Sequence, residues 1–161
     1  GDHPTTKLCL AALEKHCGAG MRVLDIGCGS GILAIGALLL GSPECVGCDI
    51  DPKAPEVAMH NAALNGIDGS RFRVFAGDVL SDAGLRAELG RGYDTVTANI
   101  VADVIIPLAP LARSFMAEGG TFIVSGVIDG RRDEVCAALE DAGFDIISRD
   151  SMEEWNSFTC R

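Results

Sequence analysis

Apolar runs and helical patterns alternate along the whole chain, separated by short breaks rich in Gly, Asp and Pro. This alternation is typical of β-α units, in which helices connect consecutive parallel strands and cover the sheet. It predicts an α/β fold, doubly wound around a mostly parallel sheet. The 161 residues match the size of one ordinary domain, so a single sheet with a single sizeable core is expected.

The pattern also predicts where each element lies. Strands are expected over 21–26, 45–50, 72–76, 93–99 and 120–126, and helices over 5–16, 30–41, 53–65, 82–90, 102–117 and 129–142. The runs 144–149 and 154–160 have no helix between them, which predicts a C-terminal antiparallel hairpin that completes a seven-stranded sheet. Pro107 and Pro110 are expected to kink or shorten the helix that contains them, because proline disrupts helical hydrogen bonding.

Charge and hydropathy narrow the classes of function. No stretch reaches the 18 or more apolar residues that a membrane span needs, so no membrane partner is expected. The formal net charge of −10 repels phosphate backbones, and no Lys/Arg stripe compensates it, so free nucleic acid is a poor partner. A basic protein surface would be attracted instead, although an acidic surface that only aids solubility is the commoner explanation.

The cysteines do not form a metal or redox pattern. They are scattered, odd in number and mostly surrounded by Leu, Val and Ala, which is typical of reduced thiols in a cytoplasmic protein. Cys45 and Cys48 have suggestive spacing, but positions three apart on a strand face opposite sides. No metal site is therefore predicted. The chain opens on Gly1-Asp2 rather than on Met, which suggests an internal start.

A glycine-rich turn follows the first predicted strand. Gly27, Gly29 and Gly31 come directly after Asp25, and these four residues are candidate ligand contacts because backbone amides at a helix start attract anionic groups. A dinucleotide fingerprint would place its third glycine one residue later, where Ile32 stands. No Gly-Lys-Ser/Thr follows, so a phosphate-binding P-loop is excluded. The glycines alone remain compatible with a structural turn.

An acidic position at the end of the second predicted strand strengthens the case for a ligand. Asp49 and Asp51 stand where that strand ends, next to the glycine loop in a doubly wound sheet. A carboxylate there can accept both hydroxyl hydrogens of a ribose. Asp51 directly precedes Pro52 and is expected to cap the following helix, with Pro52 in its first turn. This leaves Asp49 free for the ribose.

The third predicted strand adds a further candidate at the same edge. Asp78 follows this strand and could accept a hydrogen from the amino group of an adenine, with Val79 and Ile50 as apolar walls. A turn or capping role for Asp78 is nearly as well supported, because aspartate often hydrogen-bonds the backbone two residues on.

Four short motifs resemble one family of class I methyltransferases. The stretch 23–31 and Asp49 match the first motif and the second-strand acid of class I methyltransferases generally. Further motifs resemble the ribosomal protein L11 methyltransferase family, PrmA: His3-Pro4-Thr5-Thr6, Asp49-Ile50-Asp51-Pro52, Ala98-Asn99-Ile100 and Glu153-Glu154-Trp155. The resemblance implies a Rossmann-like fold and S-adenosylmethionine as cofactor, with S-adenosylhomocysteine as product. It places Thr6, Gly27, Asp49 and Asn99 at cofactor-contacting positions.

The same resemblance implies a substrate. The family methylates lysine side chains and the N-terminal amine of a large-subunit ribosomal protein, which makes a basic ribosomal protein the expected partner. Residues 1–161 correspond to the S-adenosylmethionine-dependent domain, and the family's separate N-terminal recognition domain is absent from this sequence. Cofactor binding is expected without that domain, whereas delivery of the ribosomal protein is not assured. Whether the chain is a fragment or a stand-alone methyltransferase stays open.

Asn99 is the candidate catalytic residue. It lies at the end of the fourth predicted strand, and an oxygen there can accept a hydrogen from the attacking amine. A buried Asn that only satisfies the next turn is the plainer explanation. Nucleobase amino-methyltransferases place an aromatic ring shortly after this position to stack on the base. The following residues, Ile100-Val101-Ala102, contain no such ring.

Two other functions remain open at this point. One is a class I methyltransferase for a small molecule, and the other is a nucleotide-binding module without catalysis. His3 is a candidate for ordering the entry loop over the cofactor, although a residue near a terminus is often mobile. Trp155 either lines the substrate cleft or plugs the core.

Overall fold

The computed structural model describes residues 2–161, which form six α-helices and seven β-strands. The helices are α1 Pro4–His16, α2 Ile32–Leu39, α3 Ala54–Leu64, α4 Ala83–Leu89, α5 Ala102–Ala112 and α6 Arg132–Asp141. The strands are β1 Val23–Ile26, β2 Cys45–Asp49, β3 Phe72–Ala76, β4 Tyr93–Asn99, β5 Met116–Ile128, β6 Ile146–Met152 and β7 Trp155–Cys160.

All seven strands belong to one sheet in the order β3-β2-β1-β4-β5-β7-β6. Strands β1 to β5 pair in parallel, whereas β7 runs antiparallel to both β5 and β6. The doubly wound, mostly parallel sheet and its C-terminal hairpin are therefore confirmed. The strand order reverses between β1 and β4, and in such sheets ligands bind beyond the carboxyl ends of the strands at that point.

Helices cover both faces of the sheet. One core layer packs α4, α5 and α6 against the side chains of Leu24 and Ile26, and the other packs α1, α2 and α3 against Val23. All four residues of β1 are buried because this strand lies in the middle of the sheet with helices on either side. Cys45 and Cys48 belong to opposite layers, as their spacing predicts.

The segment after β4 differs from its prediction. Helix α5 contains both Pro107 and Pro110 and ends at Ala112, followed by a short 3-10 turn, rather than continuing to 117. The expected shortening is confirmed, because two prolines remove two helical N–H donors. Strand β5 then begins at Met116 instead of 120 and pairs with Tyr93 before an irregularity at 117–120.

The start of α3 is a correction. Asp51 does not cap this helix: its Oδ1 accepts the backbone N–H of Lys53 at 2.9 Å, and Lys53 occupies the N-cap position. The aspartate therefore closes a turn that precedes the helix, a conformation that aspartate favours. Helix α3 begins at Ala54, so Pro55 rather than Pro52 lies in its first turn.

Within residues 2–161, no helix is both long enough and apolar enough to span a bilayer. In the same part of the chain, no three His, Cys, Asp or Glu side chains are grouped as metal ligands would be. All seven cysteines are buried free thiols. Burial raises the pKa of both Cys45 and Cys48 to about 12, so these thiols are protonated at neutral pH.

Candidate functional site

The glycine loop leaves β1 at the carboxyl edge of the sheet and is tied to the neighbouring strand. The backbone N–H groups of Gly27 and Cys28 both donate to the carbonyl of Cys48, at 2.8 and 3.0 Å. Gly27, Gly29 and Gly31 have φ values of 75°, 50° and 84°. This left-handed backbone is accessible to glycine at little cost, which explains the spacing of the three residues.

The three glycines nevertheless have different surroundings. A methyl group on Gly27 would overlap Cγ2 of Ile100, and one on Gly31 would lie 3.0 Å from Cβ of Ala58 in α3. Gly29 is exposed and has no atom within 4 Å of the position that a Cβ would occupy. The backbone at Gly29 is thus open to a ligand, while Gly27 and Gly31 permit close packing of the loop against its neighbours.

Asp49 is held directly against this loop. Its Oδ2 accepts the N–H of Gly29 at 2.8 Å, and its Oδ1 accepts the N–H of Asp51 at 2.9 Å. The predicted proximity of Asp49 to the glycine loop is confirmed. Each carboxylate oxygen keeps a free lone pair, so the half-buried side chain can still accept two hydroxyl hydrogens.

A cleft of about 240 Å³ opens beside Asp49. Five of its lining residues are sequence candidates, namely Gly27, Asp49, Ile50, Asp78 and Val79. Pockets for whole ligands span about 300–1,000 Å³, so this cleft matches one part of a ligand, such as a base with its sugar. Ile50 is 73% exposed and Val79 is buried, which places one apolar wall at the rim and one inside.

The other lining residues were not predicted from the sequence. They are apolar or lack a side chain: Ile26, Cys48, Gly77, Leu80, Ile100 and Val104. Such residues carry no chemical signature, and only the fold brings them to the cleft. Gly77 and Ile100 each stand directly after a predicted strand. This position was the one sequence signal that could have indicated them as cleft residues, because ligands bind at that edge of the sheet.

Asp78 takes part in a turn. Its Oδ1 accepts the N–H of Leu80 at 2.9 Å, and its backbone carbonyl accepts the N–H groups of Ser81 and Asp82. The turn role is therefore present. Asp78 also lines the cleft, and its second carboxylate oxygen remains available to accept a hydrogen bond.

Asp25 lies beneath the loop rather than in the cleft. It is 1% exposed, and its Oδ1 accepts the hydroxyl of Thr97 at 2.7 Å. Its Oδ2 has no hydrogen-bond partner within residues 2–161. Burial raises the pKa of Asp25 to about 7, the Thr97 hydrogen bond opposes this rise, and the negative charge of Asp49 adds to it.

This buried carboxyl predicts a pH-dependent stability. The pKa of Asp25 is about 7 in the folded protein, against an ordinary value of 3.8. The free energy of unfolding therefore falls as the pH rises from about 4 to about 7, by about 4 kcal/mol in total. Asp25→Asn removes this penalty. Urea unfolding at pH 5 and pH 8 should show the wild type losing more stability over that interval than the variant. Equal losses would contradict the assignment.

The start of α1 and the end of β4 are both linked to Ser125 at the same edge of the sheet. Ser125 of β5 pairs with Asn99 of β4, and its hydroxyl donates to the carbonyl of Thr5 in α1 at 2.8 Å. Both Thr6 and Asn99 are half-buried. Within residues 2–161, the side-chain amide of Asn99 has no hydrogen-bond partner, so it does not merely satisfy the following turn.

His3 and Trp155 flank the start of α1. His3 Nδ1 accepts the N–H of Thr5 at 3.3 Å, which makes His3 the N-cap of the helix. Its ring packs edge-on against Trp155 of β7, with 5.3 Å between centroids. His3 thus caps the first turn of α1, and Trp155 packs against it as a half-buried side chain rather than a core plug.

Comparison with known proteins agrees with this geometry. The ribosomal protein L11 methyltransferase (PrmA) family model matches residues 1–161. A ribosomal protein L11 methyltransferase of Agathobacter rectalis is 41% identical over 165 residues, covering 100% of this chain and 51% of that protein. One from Ectopseudomonas mendocina is 45% identical over 156 residues, covering 96% of this chain and 50% of that protein. The chain spans about half the length of these relatives.

Solved structures show the same fold. A ribosomal protein L11 methylase from Lactobacillus delbrueckii superposes with a TM-score of 0.89 at 30% identity, covering 100% of this chain and 79% of that one. Aeropyrum pernix fibrillarin, solved with bound S-adenosyl-L-methionine, superposes at 0.77 with 18% identity, covering 96% and 74%. With the family model matched over its whole length, the chain belongs to the ribosomal protein L11 methyltransferase (PrmA) family.

Proposed function

We propose that this chain is the catalytic domain of an S-adenosylmethionine-dependent protein N-methyltransferase that modifies amines of ribosomal protein L11. The observation that carries the proposal is the shared carboxyl edge of the sheet, where Asp49 accepts the N–H of Gly29 in the glycine loop and where Asn99 ends β4. Relatives at 41% and 45% identity bear the name of this activity. We also propose a cytoplasmic location, since the substrate belongs to the ribosome.

The residues at this edge fit the cofactor. Gly29 leaves room for a ligand against the backbone, and the buried Oδ2 of Asp25 lacks a hydrogen-bond partner within residues 2–161. Asp49 would hold the ribose hydroxyls and Asp78 the adenine amino group, with Ile50 and Val79 against the adenine ring. The remaining candidates, Thr6, Asp25, Gly27, Gly29, Gly31 and Asn99, would hold the methionine portion. S-Adenosylmethionine supplies a methyl group activated by its sulfonium.

The protein's own contribution is to place the amine. Attack on the methyl group is a direct displacement, so no covalent nucleophile is required and positioning is the main task. The amine must be neutral to attack, and Oδ1 of Asn99 can accept a hydrogen bond from it and thereby orient the lone pair. The proton that the methylated ammonium then loses passes to solvent. The thiols of Cys28 and Cys48 take no part, because burial raises the pKa of each and keeps it protonated.

Charge supports a basic protein substrate over a nucleic acid. The formal charge of −10 attracts lysine-rich surfaces and repels phosphate backbones. No aromatic ring follows Asn99 to stack on an extruded base, since α5 begins after Ile100 and Val101. A small-molecule substrate is the second candidate, because the open cleft and the free amide of Asn99 would also serve a small amine.

Transfer of a radiolabelled methyl group tests the substrate. Purified ribosomal protein L11 is incubated with labelled S-adenosylmethionine and either this chain or a fusion of this chain to the N-terminal half of the Agathobacter rectalis relative. Label is expected in L11, with the fusion at least as active as the chain alone. Label that enters only small metabolites from a cell extract, and never L11, would replace the proposed substrate with a small molecule.

A further inference from the structure

Ile100 is packed between Gly27 of the glycine loop and Gly126 of β5. On one side, its Cγ2 occupies the space that a side chain on Gly27 would need. On the other side, a Cβ atom on Gly126 would lie 2.6 Å from the carbonyl oxygen of Ile100. Gly126 also has a φ of 91°. Ile100 can therefore touch both the glycine loop and β5 only because both positions lack a side chain.

The backbone around Gly126 is irregular and holds Ile100 from two directions. The pairing of β5 with β7 shifts between Val124 and Val127, so Ser125 and Gly126 form a bulge there. The carbonyl of Ser125 accepts the N–H of Ile100 at 3.1 Å. Bulges often re-aim a strand beside an active site. Here the bulge brings the backbone of Gly126 against the carbonyl of Ile100.

The side chain of Asn99 also lies close to the bare backbone of Gly126. The Cβ position on Gly126 would be 3.2 Å from Oδ1 of Asn99, as well as 3.2 Å from the carbonyl carbon of Ile100. A methyl group at Gly126 would therefore displace the Asn99 side chain and the Ile100 backbone together. A side chain at this position is therefore expected to move the residue that orients the amine.

We propose that Gly126 is a positioning residue for methyl transfer: its bare backbone sets Asn99 and Ile100 at their distance from the glycine loop. The inference rests on the proposed function, in which Asn99 accepts a hydrogen from the amine. It assigns to Gly126 no contact with cofactor or substrate. Its effect passes through Asn99 and Ile100.

The strain of a positive φ would alone be a simpler reason for a glycine at position 126. A second glycine of β5 serves as a matched control. Gly119 lies in the same strand with a φ of 74°, but no atom stands within 4 Å of its Cβ position. Gly119→Ala and Gly126→Ala therefore impose similar backbone strain. Only Gly126→Ala also forces a methyl group against Ile100 and Asn99.

The test compares these two variants with the wild type in three measurements. Urea midpoints report stability, calorimetry reports affinity for S-adenosylhomocysteine, and initial rates report methyl transfer to L11. Both variants should lower the midpoint, and Gly126→Ala should lower it by more, because its methyl group would also lie 2.6 Å from the carbonyl oxygen of Ile100. Gly126→Ala should lower kcat by about 100-fold, the scale of a misplacement of about 1 Å, with a smaller change in cofactor affinity. Gly119→Ala should keep the wild-type kcat, and equal kcat values in the two variants would overturn the proposal.

Amide NMR spectra separate the positioning role from the proposed function. The Asn99 side-chain and Ile100 backbone resonances should shift in Gly126→Ala and stay in place in Gly119→Ala. If the wild type transfers no methyl group while these shifts occur, the proposed function fails, and only the structural part of the inference, that Gly126 places Asn99 and Ile100, stands. If the wild type is active and the resonances do not move, Gly126 is not a positioning residue. Should Gly126→Ala fail to fold, Ile100→Ala removes the contact with Gly27 and should likewise lower kcat, whereas an unchanged kcat counts against the proposal.

Discussion

Replacing Asp49 with alanine is expected to weaken binding of S-adenosylhomocysteine by about 100-fold or more. The substitution removes an ionised acceptor for two ribose hydroxyls, and hydrogen bonds to charged groups contribute about 1.5–3 kcal/mol each. It also releases the N–H of Gly29, which Asp49 holds at 2.8 Å, so the glycine loop loses an anchor. Isothermal titration calorimetry measures the change, and circular dichroism checks that the fold persists.

Asp51→Ala is the matched control for this variant. Asp51 is exposed, lies two residues from Asp49 and does not line the cleft. Its replacement by alanine removes the same charge. Its Oδ1 only supports the turn before α3, so affinity should stay within about threefold of the wild type. If Asp49→Ala binds as tightly as Asp51→Ala, the ribose is not held by Asp49.

Asn99→Ala is expected to lower kcat for methyl transfer by about 100-fold or more. Loss of the side-chain oxygen leaves the amine without the hydrogen-bond acceptor that orients its lone pair, and a misplacement of about 1 Å can cost about 100-fold in rate. Affinity for S-adenosylhomocysteine should change by less than about tenfold, since one neutral hydrogen bond is at stake. Asn99→Asp keeps an oxygen at this position and should retain more activity than Asn99→Ala. Comparable kcat values for wild type and Asn99→Ala would remove Asn99 from the mechanism.

The elements that could be predicted from sequence are those set by local patterns. Alternating apolar runs place every strand of the parallel sheet, because buried strands and amphipathic helices have distinct periods. The residues at which helices begin and end depend less on local sequence patterns. Helix α5 ends at Ala112 where its apolar pattern continues, and α3 begins at Ala54 because Asp51 closes a turn instead of capping it.

The candidate site likewise contains residues that local patterns predict and residues whose placement depends on tertiary packing. Asp49 and the glycine loop could be placed together because both follow neighbouring strands, and the structure joins them by one hydrogen bond. The burial of Asp25 could not be foreseen, since it depends on a helix packed over β1. The contact of Gly126 with Ile100 depends on a bulge and on strand register, neither of which has a sequence pattern of its own.

Calorimetric titration of the wild-type chain with S-adenosylhomocysteine and, separately, with NAD tests most directly whether this edge of the sheet is a methyltransferase cofactor site. Gly31 stands one residue earlier than a dinucleotide fingerprint requires, and a Cβ atom there would lie 3.0 Å from Cβ of Ala58. One molecule of S-adenosylhomocysteine is predicted to bind per chain, with no heat from NAD. Binding of NAD without binding of S-adenosylhomocysteine would contradict the assignment.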